Sequence, residues 1–252
     1  MEFKYIGIIL ILIIAIVYFS IKYYYREGKI RVFTAGPLDL SKPTPVVGSD
    51  DAKQILQSKN GSTLSVFIKI NGIDKSGVYD ATPIGILEQP GCWALQYVPQ
   101  NSKSASPTYK FSVNTIDSTG AERIEEIPLP MIPEQKWIYF TVLKEGRRFD
   151  VLYNKNIIAS SYLINYPKVQ TQAIRLGNSL MRGEAAYVNG ASKRYTFEEV
   201  AEEWASRADT RGKPYLPDES ILPTFGCPSG LFCFSAPSGP SSMKTFWSSP
   251  YA

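Results

Sequence analysis

Residues 136–161 read KWIYFTVLKEGRRFDVLYNKNIIASS. The run from Trp137 to Leu143 is apolar on both faces, which predicts a central strand covered by a layer on either side. Glu145-Gly146 breaks that run with a turn, and Phe149 to Tyr153 follows as a second strand. Asn154-Lys155-Asn156 makes a small polar turn before a third strand that reaches Leu163. Strands this closely spaced, joined by short polar turns, form antiparallel sheets.

The same grammar extends in both directions. Residues 62–70 alternate, with Leu64, Val66, Ile68 and Ile70 on one face and Ser65 and Lys69 on the other. Trp93, Leu95 and Tyr97 share a face, as do Tyr109, Phe111 and Val113. Shorter strands are expected at 30–34, 123–127, 173–176 and 185–188. Turn signals separate the runs at Asn71-Gly72, Ser118-Thr119-Gly120 and Asn189-Gly190. Residues 37–51, rich in Pro, Asp and Gly, read as a loop. The expectation is an all-β chain folded as a sandwich of two antiparallel sheets, or as a barrel. No amphipathic helices alternate with the strands, so a parallel α/β fold is disfavoured. One short helix is expected late. Thr196-Phe197-Glu198-Glu199 is a capping box, and Phe197, Val200 and Trp204 follow at helical spacing.

The chain has 252 residues and no histidine, which removes Ser-His-Asp chemistry, Cys-His chemistry and His-ligated zinc. Lys and Arg are scattered and the net charge is only +4, so nucleic acid is not an expected partner. Cys92, Cys227 and Cys233 make an odd set, which leans toward a reducing compartment.

Residues 5–21, YIGIILILIIAIVYFSI, carry no charge. Tyr5 and Ile6 open this stretch and Ile21 closes it; as a helix it is about 26 Å long, close to a hydrocarbon core. Tyr23, Tyr24 and Tyr25 follow as an aromatic belt, where a signal peptide places small residues. Residues 1–27 are therefore expected to be a single-pass membrane anchor. Lys22, Arg26, Lys29 and Arg31 outnumber the lone Lys4, which puts the rest of the chain on the cytosolic side. The sequon Asn60-Gly61-Ser62 argues the other way if it is glycosylated.

The order of these pieces resembles the laminin-G-like, or concanavalin-A-like, jelly roll over residues 28–206. The carrying segments are STLSVFIKING, the 136–161 stretch and IRLGNSLMRGEAAYV. The chain departs from that family at Asn154-Lys155-Asn156, where Asn-Gly is usual. The resemblance implies chemistry in two forms. Its glycosidases resemble one another in a strand motif, Glu-x-Asp-x-(x)-Glu, that sets two carboxylates in a cleft. Neither Glu122, Glu125 and Glu126 nor Glu198 to Glu203 has that spacing, so no catalytic residue is assigned. Its calcium lectins use Asp and Asn loop ligands, but Asp50-Asp51, Asp74 and Asp117 lack a hard-cation spacing, so neither metal nor cofactor is assigned. Tyr97, Tyr109, Tyr139 and Tyr153 read as packing residues rather than as a sugar-stacking platform. The loop Asn154, Lys155 and Asn156 is the candidate ligand loop.

Residues 207–252 read as an extended tail rich in Pro, Gly and Ser, which either wraps back over its own domain or docks on a partner, with Phe225, Phe232, Phe234, Phe246, Trp247 and Tyr251 as candidate partner-docking residues. A catalytically bare jelly roll on an anchor looks like the minor capsid or membrane-associated virion proteins of large DNA viruses. The expected role is a structural tether between a bilayer and a protein assembly. The alternative is a membrane-displayed, lectin-like glycan-binding module.

Overall fold

The computed structural model describes residues 12–18, 31–58, 61–74, 82–99 and 108–216. The chain divides into two units, Met1–Glu219 and Ser220–Ala252, and the second lies outside the described residues. In chain order the elements are α1 (12–18), β1 (Arg31–Thr34), β2 (Leu38–Asp39), β3 (Thr44–Val47), α2 (Ser49–Gln57), β4 (Ser62–Ile73), β5 (Ile84–Gln89), β6 (Trp93–Val98) and β7 (Thr108–Ile116). Then follow β8 (Glu122–Leu129), β9 (Trp137–Glu145), β10 (Arg148–Tyr153), β11 (Asn156–Tyr162), β12 (Tyr166–Pro167), β13 (Ile174–Leu176), β14 (Met181–Ala191) and α3 (Phe197–Arg207).

Among the described residues the strands form two seven-stranded antiparallel sheets. Sheet I runs β1-β14-β4-β9-β10-β11, with β2 also on β14. Sheet II runs β7-β6-β5-β13-β3, with β8 and β12 both pairing with β7. The chain passes from β4 to sheet II for β5–β8, returns for β9–β11, crosses again for β12 and β13, and closes with β14 beside β4. This nesting of pairs is that of a jelly roll, so the expected two-sheet sandwich is what forms.

The main core fills the space between the sheets. Leu64, Val66, Ile68 and Ile70 of β4 face it as the alternation requires, with Phe140 and Val142 of β9 and Phe149 and Val151 of β10. Trp93, Leu95, Phe111 and Val113 face them from sheet II, where Trp93 stacks on Phe111 with centroids 5.6 Å apart.

A second cluster explains why 137–143 is apolar on both faces. Tyr139, Leu143, Phe67, Leu152 and Ala186 lie on the outer side of sheet I, and α3 covers them with Val200. Trp204 packs against this cluster, but Phe197 is exposed, with the Arg194 guanidinium 5.6 Å from its ring centre. The helix starts where the capping box places it. Thr196 Oγ1 accepts from Glu199 N at 3.1 Å, and Thr196 N donates to Glu199 Oε2 at 2.8 Å. Residues 207–216, placed with the tail by their composition, reach the same cluster through Ala208 and Leu216.

Three stretches of the chain depart from expectation. Residues 37–51 hold β2, β3 and the start of α2 rather than a plain loop. The helix is recruited by packing: Ala52 and Ile55 are buried, and Gly190 leaves the space that Ile55 occupies, a Cβ there falling 2.5 Å from its Cδ1. Strand β5 was missed because a bulge between Gly85 and Leu87 breaks its alternation. Strand β14 is eleven residues long, not four, because bulges at 182/183 and around Tyr187 (φ 49°) interrupt the pattern.

Candidate functional site

A trough of about 350 Å³ crosses the outer face of sheet II over β5, β6, β7 and β8. Its position follows from strand geometry. Because Trp93, Leu95, Phe111 and Val113 turn inward, Ala94, Gln96, Lys110, Ser112 and Asn114 turn outward. Ala94 and Ser112 are register partners with short side chains, and they make the floor; the Ser112 hydroxyl donates to the Ala94 carbonyl at 3.3 Å. Gln96 and Lys110 form the next rung. Glu88 and the Pro90-Gly91 turn close one side, and Ile124 and Glu126 close the other. Lys110 Nζ lies 2.5 Å from Glu126 Oε1, so the trough carries a neutralised ion pair flanked by amides and a hydroxyl. Such groups offer donors and acceptors together, which suits a neutral, hydroxyl-rich ligand.

Of the acids considered in sequence, Glu126 lines the trough and several others are engaged elsewhere. Glu125 Oε2 accepts from Ile164 N at 2.7 Å, and its Oε1 accepts from Asn165 N at 2.9 Å and Asn165 Nδ2 at 3.2 Å. Burial alone raises the Glu125 carboxyl, but these N–H groups outweigh it and hold it below its ordinary value. Glu122 is ion-paired with Lys168, Glu199 with Lys193 at 2.7 Å, and Glu203 with Arg207. Asp117 caps its own turn, accepting from Thr119 Oγ1, Ala121 N and Thr119 N, and these bonds bring its carboxyl to about 2. Asp51 pairs with Arg31 at 2.8 Å and Asp74 with Arg182 at 3.5 Å. Among the described residues no three His, Cys, Asp or Glu side chains gather where a metal ion could sit.

The four tyrosines are packing residues. Tyr97, Tyr109, Tyr139 and Tyr153 are all buried. Tyr139 donates to Ser65 Oγ at 2.7 Å, and burial pushes its phenol up to about 12. Tyr153 donates to the Pro130 carbonyl at 3.1 Å.

The 154–156 turn is divided in its duties. Asn154 has φ 57°, opens a two-residue hairpin, and accepts from Tyr139 N through Oδ1 at 2.9 Å. Lys155 and Asn156 are exposed. Of the sequon, Gly61 and Ser62 are buried; Gly61 has φ 79°, and a Cβ there would lie 2.5 Å from the Lys144 carbonyl oxygen. The anchor residues Tyr5, Ile6, Ile21, Tyr23, Tyr24 and Tyr25 lie outside the described residues, as do Phe225, Phe232, Phe234, Phe246, Trp247 and Tyr251. Among the described residues no helix is long and apolar enough to cross a membrane.

The trough residues were not singled out from sequence. Their signal was there: Gln96, Lys110, Ser112 and Asn114 are the polar partners of apolar residues on alternating strands, hence one face of one sheet. What alternation does not reveal is which strands lie side by side.

The fold defines an antiparallel β-sandwich with a polar trough on one sheet. No family model matches the chain, and no curated protein matches it. Among solved structures it is similar to the receptor-binding domain of botulinum neurotoxin C/D mosaic serotype, at 15% identity and TM-score 0.49 over 75% of this chain and 48% of that one. The receptor-binding domain of botulinum neurotoxin D matches at 16% identity and TM-score 0.47, over 75% and 51%. That of type G matches at 10% and 0.44, over 74% and 49%. This chain spans about half the length of those domains.

Proposed function

We propose that the protein is a membrane-anchored, non-enzymatic binding module whose sheet II trough takes an oligosaccharide. The trough itself carries the reading. It is open and presents the amides of Gln96 and Asn114 and the Ser112 hydroxyl on β6 and β7, between flanks formed by β5 and β8, while its ammonium and one of its carboxylates neutralise each other. An oligosaccharide matches that chemistry because each sugar ring offers several hydroxyls that both donate and accept. The uncharged stretch at 5–21 supports the anchor.

The test is a glycan array probed with the full-length protein in detergent micelles. Binding to a defined set of glycans is expected. The double substitution Gln96→Ala/Asn114→Ala is expected to weaken it by at least about tenfold, the loss of one or two hydrogen bonds. Lys155→Ala is expected to leave it unchanged. A blank array refutes the proposal, and so does binding that survives the double substitution.

A further inference from the structure

At the turn between the two sheets, three large side chains stand out of the surface. Tyr162 is 64% exposed, Ile164 79% and Tyr166 70%. Isolated exposed hydrophobics need no explanation, but these three sit on one short loop that is held rigidly outward. Glu125 grips its backbone at Ile164 and Asn165. Arg147 grips it from the other side. Its guanidinium donates to the Ile164 carbonyl at 2.7 Å and the Tyr162 hydroxyl at 3.2 Å, and it lies 4.7 Å from the Tyr162 ring centre and 5.2 Å from that of Tyr166. Among the described residues Arg147 forms no ion pair with a carboxylate, and its charge is available to an outside anion.

The sheet register places this loop at one particular end of the sandwich. Arg31 of β1 pairs with Gly190, Gly190 with Leu64, Leu64 with Val142, Val142 with Val151 and Val151 with Ala159. Strand β1 runs from that row away from the β9–β10 turn, since Thr34 pairs with Val188. The chain therefore reaches β1 from the end that carries Arg147, Tyr162 and Ile164. Tyr162 stands three residues beyond the Arg31 row, roughly 10 Å, and five strand spacings across, about 24 Å. Residues 22–30, between the uncharged stretch and β1, span at most roughly 30 Å. An anchor ending at Ile21 thus keeps this end of the domain within reach of the bilayer.

We propose that this end of the sandwich rests on the membrane, with Tyr162, Ile164 and Tyr166 dipping into the interface and Arg147 meeting anionic headgroups. The inference rests on the anchor reading and adds the face that the domain turns to the lipid. Tyr and Arg at headgroup level with an aliphatic tip below is the composition that an interface selects. The loop forms a knob rather than a groove, a shape that enters lipid.

The test uses the full chain with Cys227→Ser and Cys233→Ser, leaving the buried Cys92, and an environment-sensitive fluorophore at Ile164→Cys. A second variant carries the label at Met131→Cys. Met131 is also apolar and exposed, and it follows β8 at the opposite end of the sandwich. Each is reconstituted into vesicles of phosphatidylcholine with phosphatidylserine, with and without spin-labelled lipid. Several-fold stronger quenching at 164 than at 131 is expected, and Arg147→Glu should reduce it while co-flotation persists. Vesicles that carry the protein without quenching at 164, or with equal quenching at both sites, overturn this inference and leave the anchor standing. Protein that neither co-floats nor is quenched overturns both. A label at 164 that only a soluble oligosaccharide shields also overturns it, and assigns the loop to glycan.

Discussion

Asp150 has no exposed surface, yet it is a carboxylate on the outer side of sheet I. It is tolerated because three donors meet it: Ser160 Oγ at 2.5 Å, Arg194 Nη2 at 2.7 Å and Arg148 Nε at 3.2 Å. Arg194 belongs to the segment that leads from β14 into α3, so this carboxylate clamps the helix-bearing segment to the sheet. Asp150→Ala removes the clamp. The Arg194 and Ser160 bonds are the shielded ones, and at about 1.5 kcal/mol each they give a loss of about 3 kcal/mol. Arg148 is half exposed and adds little. The loss stays below that of a fully orphaned buried charge, because Glu145 remains 3.5 Å from Arg194. Urea unfolding of the full-length protein in micelles measures it, and a double-mutant cycle with Arg194→Ala should return a coupling of about 1.5 kcal/mol. Burial by itself raises the Asp150 carboxyl, but the bonds from Ser160, Arg194 and Arg148 outweigh it, so its folded value lies below the unfolded one. The unfolded state then binds the proton more readily. The contribution is complete above the unfolded value of about 3.9 and declines as pH falls toward the lower folded value. The stability gap between wild type and Asp150→Asn should hold steady at neutral pH and close below about pH 4. A loss under about 1 kcal/mol in Asp150→Ala, or no coupling to Arg194, refutes the clamp.

Three further substitutions, at two positions, separate packing from binding. Asn154→Ala loses both the hydrogen bond to Tyr139 N and the tolerance of positive φ, for about 2 kcal/mol, whereas Asn154→Gly loses only the bond, for about 1 kcal/mol; thermal melts of both, with glycan binding unchanged, check that this turn is structural. Val200→Ala should cost about 2 kcal/mol in urea unfolding by thinning the contact beneath α3, with the trough unaffected.

Most of the strand pattern could be read because one face of each strand meets the core and the other does not. Strand β6 alternates cleanly, with Trp93, Leu95 and Tyr97 inward, and so does β7. Reading failed where the backbone departs from period two. The bulge in β5 sets Ile86 and Leu87 next to each other in the core, and the positive φ at Tyr187 splits β14. It failed at α2 for another reason. Nine residues that include two aspartates have little helical propensity of their own, and the helix forms because Ile55 finds the gap above Gly190. The doubly apolar face of β9 was read correctly, but its second cover is a helix and not a sheet.

The two proposed surfaces constrain each other. Strands β6 and β7 run along the axis that joins the two ends of the sandwich, and Ile116 closes β7 at the end that carries Tyr166, its register partner. Asn114 lies two residues above Ile116, about 7 Å, and Lys110 six residues above it, about 20 Å. With the 162–166 loop in the interface, the trough does not face the lipid. It opens sideways and climbs away from the bilayer over that interval. A ligand filling it would reach from near headgroup level at Asn114 up to the rung of Gln96 and Lys110. Glycans carried on the same membrane satisfy that geometry without bending, while a soluble glycan gains nothing from it. Taken together, the two proposals predict tighter binding to glycan-bearing vesicles than to the same glycan free in solution. Equal affinity would separate the trough from the loop and leave each to its own test.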